Sequence, residues 1–488
     1  MSQNETMRKY KSLFMWKFIK DFFVYGFSSI FSKIVAVLLM PIYTNILTRE
    51  EYGAMAMLVS VKGIIDLLSN LNIHSGIARD YCEKGVKRST LVSTGLWSIL
   101  SLSCTVLIIM LLTKAFWIDT VLELPDYQSS FVLVLLSVPA GGLVSYFSIL
   151  TRFKKKPALY ATGSIISLVL RVLVSIYTIV VLRMGIVGFF FAVLIEELFS
   201  ISYFGYINRQ YIAFIFDWDY LKRVLKFSVP VLPAIAAGWI DTSLGQILMA
   251  KYVSLTDLGV YSVALQFASI FTLIGTALNN VWSPFLYENY RNEGFQSKVE
   301  RLFLMFVFIL CIVSCTLSLI SREMVFLLAN SNYQDASNYL ALLCIPMSFH
   351  LLFPIVSSGI SVSRDTKHTS IAYLMGSIFN LLFLFIFLPK IGVYIVPLGL
   401  GISRVITYLY MSYITQKKGL LKLPNNVMAF FTVLITFCFF IVYNQISLLC
   451  RLTIMLLIDG ALLYWAAKRL QLKNMIASVW ENRCKHSV

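Results

Sequence analysis

The feature that most constrains this chain is a succession of apolar stretches, each about 20 residues long, separated by short polar loops. Lipid offers a backbone no hydrogen-bond partners, so such stretches must satisfy their own N–H and C=O groups as helices. Fourteen spans are expected, over residues 22–47, 53–78, 89–113, 128–151, 158–182, 185–208, 227–250, 257–282, 302–320, 338–363, 368–389, 391–415, 426–446 and 448–467. The ninth has the least defined end and could run on to Leu328. The expected class is all-α integral membrane, with about 14 transmembrane helices. Only 13% of the residues are charged, against about 25% in soluble domains. A transmembrane barrel is excluded, because its strands would alternate apolar and polar residues. The first stretch is too long for a cleavable signal and contains Lys33.

The formal charge of +17 reads as membrane orientation, with no nucleic-acid partner. With the N-terminus inside, cytoplasmic segments hold 30 Lys and Arg, opposite loops 7, and the spans themselves 4. That asymmetry predicts cytoplasmic N- and C-termini. Basic loops such as Arg152-Phe153-Lys154-Lys155-Lys156 serve as topology anchors against membrane lipids. Segment 209–226, with Trp218, Tyr220 and Lys222-Arg223, is expected to form a short interfacial helix. The eight cysteines show no metal-ligand spacing. No phosphate-binding loop occurs, and no metal or cofactor is expected.

The chain also looks duplicated. Leu47-Thr48-Arg49-Glu50-Glu51-Tyr52-Gly53 and Val253-Ser254-Leu255-Thr256-Asp257-Leu258-Gly259 align with a shift of 206 residues. Thr48 then faces Ser254, and Glu51 faces Asp257. Internal repeats of this kind are a transporter signature.

Charges within spans are costly and mark candidate sites. Lys62, Asp66, Asn70 and His74 stand four apart, on adjacent turns of one expected helix. Lys62 and Asp66 can pair with each other or line a cavity. Ser164, Ser167, Arg171, Ser175 and Thr178 form a polar face with a cation at its centre. Glu196 and Glu197 point about 100° apart, so one readily faces a cavity, and one can pair with Arg171 or Lys33. Asp241 lies inside the seventh span and Asp459 inside the last. Ser262, Gln266, Ser269, Thr276 and Asn280 share a stripe, as do Ser370, Tyr373, Ser377 and Asn380. Arg404 lies beside Ser403. Asn70, Gln266, Asn280 and Asn380 are the expected cavity-lining amides. A cation channel would show acids without basic partners. Lys33, Lys62, Arg171 and Arg404 instead suit an anionic substrate.

Pro41-Ile42-Tyr43-Thr44-Asn45-Ile46-Leu47-Thr48-Arg49-Glu50-Glu51-Tyr52-Gly53-Ala54-Met55-Ala56-Met57 resembles the first hairpin of polysaccharide flippases of the Wzx type. These belong to the multidrug/oligosaccharidyl-lipid/polysaccharide (MOP) exporter superfamily. Phe227-Ser228-Val229-Pro230 with Pro233, Asp241, Leu258-Gly259-Val260-Tyr261-Ser262 and Asn279-Asn280-Val281-Trp282-Ser283-Pro284 are similar to that family's second-half motif. The resemblance covers essentially the whole chain. It implies two pseudo-symmetric six-helix lobes, MATE-like, plus two C-terminal helices. The lobes would be 1–208 and 227–415, joined by a linker at 209–226, with two added helices and a basic tail at 416–488. The implied function is flipping of undecaprenyl-diphosphate-linked oligosaccharide repeat units across the bacterial cytoplasmic (inner) membrane, for O-antigen or capsule. Lys33, Lys62, Arg171 and Arg404 would bind the substrate, and Asp66, Glu196 and Asp241 would couple a proton or sodium ion. A polymerase and a chain-length regulator would be partners. Lipid II flippases and drug/cation antiporters share the fold implied. A polysaccharide polymerase is the enzymatic alternative, disfavoured because outer loops 114–127 and 321–337 are short. The expectation is a transporter and not an enzyme.

Overall fold

A computed structural model describes residues 31–81, 85–154, 157–290, 294–363, 367–418 and 423–469. All regular structure among them is helical. Among the described residues, thirteen helices are long and apolar enough to cross a membrane, and a shorter apolar helix covers Phe31–Ile46. The expected start of that first span, residues 22–30, lies outside the described residues. The chain divides by its internal contacts into two compact units, Met1–Gly259 and Val260–Val488.

In the first unit, α1 (Phe31–Ile46) is followed by α2 (Arg49–Asn70), α3 (Ile73–Asp80), α4 (Arg88–Leu112), α5 (Gln128–Phe153), α6 (Pro157–Ile176), α7 (Gly185–Asn208), α8 (Trp218–Ser228), α9 (Leu232–Trp239) and α10 (Gly245–Tyr252). α5 and α6 pack on α7, α4 packs on α5, and α2 packs on α5. α11 (Leu255–Ala268) crosses the division. α2 starts from a capping box: Glu51 N–H donates to Thr48 Oγ1 at 3.1 Å, and Thr48 N–H donates to Glu51 Oε2 at 2.8 Å. Ser254 and Asp257 form the counterpart at the start of α11. There Asp257 N–H donates to Ser254 Oγ at 3.0 Å, and the Ser254 hydroxyl donates to Asp257 Oδ2 at 2.6 Å.

One expectation is corrected here. The second span was expected to run unbroken to residue 78. It stops at Asn70, because Leu71 and Asn72 both take left-handed backbone, with φ of 44° and 53°. Ser75 Oγ, donating to Asn72 Oδ1 at 2.6 Å, braces the break. His74 therefore leaves the four-residue stripe. A short helix was expected in segment 209–226, and α8 supplies it, although it continues further than expected. α8 starts at Trp218, capped by Asp217 accepting from Asp219 and Tyr220 N–H. It runs on through short 3-10 and π turns into the seventh span, giving helical structure over Trp218–Tyr252. That long element packs on α2 and α3. Trp239 Nε1 donates to Ser60 O at 2.9 Å, Ser60 Oγ donates to Gln246 Oε1 at 3.2 Å, and Arg223 Nε donates to Asp80 Oδ2 at 2.8 Å. These bonds tie Trp218–Tyr252 to the helices of the first unit.

The second unit holds α12 (Ile270–Asn289), α13 (Phe295–Leu319), α14 (Ser321–Leu328), α15 (Ala336–Val356), α16 (Ser358–Ser363), α17 (Lys367–Ile391), α18 (Ile395–Lys417), α19 (Asn425–Tyr443) and α20 (Leu448–Arg469). The ninth span ends at Leu319, and α14 is a separate short helix. The core of this unit gathers Phe303, Phe308, Cys311, Cys315, Phe349, Tyr408, Phe431 and Cys438, with α13 and α15 central. The cysteines behave as small packing residues. α19 and α20 pack on α13. Arg451 staples them: its guanidinium donates to Glu323 Oε1 at 2.6 Å, Glu323 Oε2 at 3.0 Å, Leu319 O at 2.8 Å and Ile446 O at 3.0 Å. Leu449, Leu456, Leu457 and Leu463 of α20 are exposed, the outward apolar face that suits hydrocarbon.

Candidate functional site

The first unit brings five charged side chains of three helices into two linked groups. α2 carries Lys62, Asp66 and Asn70 on successive turns, a spacing that puts them on one face. Lys62 Nζ reaches Asp66 Oδ2 at 3.0 Å and Glu197 Oε1 of α7 at 3.3 Å. One residue earlier on α7, Glu196 Oε2 accepts from Arg171 Nη1 of α6 at 3.3 Å. The two adjacent glutamates diverge on α7, so each meets a base on a different neighbouring helix. Sequence reasoning expected one of them to face inward; both are engaged. The Lys62 and Glu197 side chains are only 13% and 14% exposed, whereas that of Arg171 is 34% exposed. The Arg171 guanidinium also lies 5.1 Å from the ring centre of Phe189.

α5 makes room for this group. A Cβ on Gly141 would stand 2.9 Å from Lys62 Nζ and 3.1 Å from Glu197 Oε1, and one on Gly142 would fall against Asn70 Oδ1. Pro139 sits just before, inside the helix. These residues were missed by sequence reasoning. The signal was Pro139-Ala140-Gly141-Gly142 within a span, a loose backbone stretch that side chains of neighbours can approach.

The remaining polar face of α6 serves helix packing. Ser167 Oγ and Ser200 Oγ share a hydrogen bond of 2.7 Å, Ser175 Oγ and the Tyr43 hydroxyl one of 2.9 Å. Thr178 Oγ1 donates to Gly188 O at 3.0 Å. Lys33 is exposed on α1, and Asp241 is buried in the π turn between α9 and α10. In the second unit, Arg404 is buried on α18 with its guanidinium 5.8 Å from the ring centre of Tyr373. Asn380 is buried on α17 against Gly399 of α18, and Gln266 is half-buried on α11. The side chain of Asn280 lies outside the described residues. Thus Lys62, Asp66, Asn70, Arg171 and Glu196 are brought together with Glu197, while Arg404, Asn380 and Gln266 belong to the other unit. Among the described residues no cluster of His, Cys, Asp and Glu has a metal-binding arrangement.

A sequence profile of the family described as polysaccharide biosynthesis protein matches residues 18–290, more than half of the chain. This chain belongs to that family. The succinoglycan biosynthesis transport protein ExoT of Rhizobium meliloti (strain 1021) is 24% identical over 235 residues, 47% of this chain and 46% of that protein. The chain thus spans about half the length of that relative. Among solved structures, the lipid II flippase MurJ in its inward closed conformation superposes with a TM-score of 0.74 at 15% identity, covering 91% of this chain and 99% of MurJ. An inward-facing multidrug resistance MATE family transporter of the MOP superfamily gives 0.64 at 15% identity, covering 81% and 94%. These likenesses establish the fold: a multi-pass membrane protein with the architecture of flippases and MATE transporters. The family expectation and the fold class stand.

Proposed function

We propose that this protein flips an undecaprenyl-diphosphate-linked oligosaccharide repeat unit from the inner to the outer leaflet of a bacterial cytoplasmic membrane. Alternating access carries the cargo, an ion gradient drives it, and both termini are cytoplasmic. The observation that supports this most is the charged face of α2, α6 and α7 inside an apolar helical bundle of a polysaccharide-biosynthesis family. Buried charge is costly in a bilayer, so it is retained for a cargo or an ion. Of the four cations expected to meet the diphosphate, Arg171 and Lys33 are the accessible ones. Lys62 is shared by two carboxylates and Arg404 is buried, so both act at closer quarters. Asp66, Glu196 and Asp241 are the proposed ion carriers. The repeat unit would pass next to a polymerase and its chain-length regulator.

The test is complementation of a strain deleted for its own repeat-unit flippase, read as surface polysaccharide. Restoration is expected. Restoration of long glycan chains in a polymerase mutant alone would overturn the reading. The likeness to MurJ favours lipid II as a second cargo. Rescue of a strain depleted of its lipid II flippase, without rescue of surface polysaccharide, would select it.

A further inference from the structure

The group around Lys62 holds an odd number of charges. Three carboxylates (Asp66, Glu196, Glu197) face two bases (Lys62, Arg171). Arg171 matches Glu196, and one ammonium is left for Asp66 and Glu197 together. α5 contributes Gly141 and Gly142 here and no charge. The turn at 240–244, which packs on α2, carries a further buried acid, Asp241.

A second observation concerns oxygens. Asp66 Oδ1, Glu197 Oε2 and Asn70 Oδ1 are all buried and accept no hydrogen bond. Asn70 is 9% exposed, and its amide N–H donates to Asp66 O at 2.8 Å, which turns its carbonyl the other way. That carbonyl points at Gly142, one residue from the glycine that faces Lys62 Nζ and Glu197 Oε1. Buried acceptors without donors are costly in a low-dielectric surrounding. A buried carboxylate without a matching cation is relieved by one added positive charge.

We infer that Asp66, Glu197 and the Asn70 carbonyl form a binding site for a single positive charge, a proton or a monovalent cation, with Lys62 as its built-in competitor. The inference deepens the ion-coupled reading above and rests on it. It makes Glu197 the deciding acid. With Glu197 neutral, Lys62 pairs with Asp66 alone, Arg171 pairs with Glu196, and the group is balanced.

The experiment uses the full chain in lipid nanodiscs and needs no cargo. Thermal unfolding is followed by intrinsic tryptophan fluorescence across pH. It is repeated across sodium chloride, with choline chloride holding ionic strength constant. A step in pH that is indifferent to sodium identifies the proton, and a saturable sodium effect identifies the cation. Glu197→Gln is expected to abolish whichever is seen. Lys62→Gln removes the competitor, so half-saturating sodium should fall about tenfold, or the pH step should be displaced by about one unit. Opposite effects from two residues in contact are not what a merely structural ion pair produces. Equal curves in wild type and Glu197→Gln overturn the inference. If that variant does not fold, an unchanged Lys62→Gln does so, and a wild type indifferent to both pH and sodium does so whatever the variants show. Because cargo is absent, such failure is separable from failure to restore surface polysaccharide.

Discussion

Gly53 and Gly259, 206 positions apart, are packed reciprocally: a Cβ on Gly53 would run into the Leu255 carbonyl oxygen, and one on Gly259 into that of Arg49. Each glycine thus meets the residue four before the other. The same shift relates the caps Thr48/Glu51 and Ser254/Asp257. Two copies of one helix start have been brought backbone to backbone, and only a residue without a side chain permits that approach.

Replacing either glycine should therefore be costly. Gly53→Ala or Gly259→Ala forces apart two backbone segments, which cannot yield as a side-chain tip would. A loss of about 1–3 kcal/mol is expected from overpacking. The thermal midpoint of the purified protein checks it, and Gly53→Val should fall further than Gly53→Ala.

Arg451 should be indispensable for holding the last two helices. It is buried, bidentate on Glu323 and bonded to two backbone carbonyls. Arg451→Ala strands Glu323 and both carbonyls, at about 3–5 kcal/mol. Arg451→Lys should recover only part, because an ammonium lacks the planar fork. Thermal unfolding compared across the three proteins tests this.

Arg171 can be tested against its own partner. If the proposed cargo is right, Arg171→Ala should abolish export of surface polysaccharide and Arg171→Lys retain some, since a diphosphate needs charge more than fork geometry. The double variant Arg171→Ala with Glu196→Gln removes the pair without stranding a carboxylate. Export restored in the double variant would reduce Arg171 to a packing role; export still lost supports a cargo contact.

Gly141 and Gly142 should differ in tolerance. A methyl at 141 meets the flexible ends of Lys62 and Glu197, which can give by a few tenths of an ångström. A methyl at 142 meets Asn70, whose amide is held on Asp66 O. Gly141→Ala should fold normally and export less; Gly142→Ala should also lower the thermal midpoint. Equal midpoints for both would contradict this reading of the site.

Much of the fold was legible in the residues. Span lengths and their number follow from the bilayer's thickness and its lack of hydrogen-bond partners, and most helices fall within a few residues of expectation. Lys62 with Asp66 was legible too, because a four-residue spacing on a helix is local geometry. The break at Leu71 and Asn72 was not: Asn72 is a residue type that favours left-handed backbone, but Leu71 beside it is not, and the apolar run continues past both. Nor was the continuity of α8 with the seventh span, where Pro230 and Pro233 suggest a start but fall within first turns, which tolerate proline.

What the amino-acid sequence alone determined is therefore periodic or short-range: the helical class, the spans and the repeat. What only the tertiary structure decided is pairing across helices. Lys62 could have faced any of several acids, and it meets Glu197, 135 positions away, because Gly141 leaves the space between them. Composition places charges within a membrane, but their partners depend on which helix faces lie together. That is set by the packing of apolar and small residues elsewhere along the same helices.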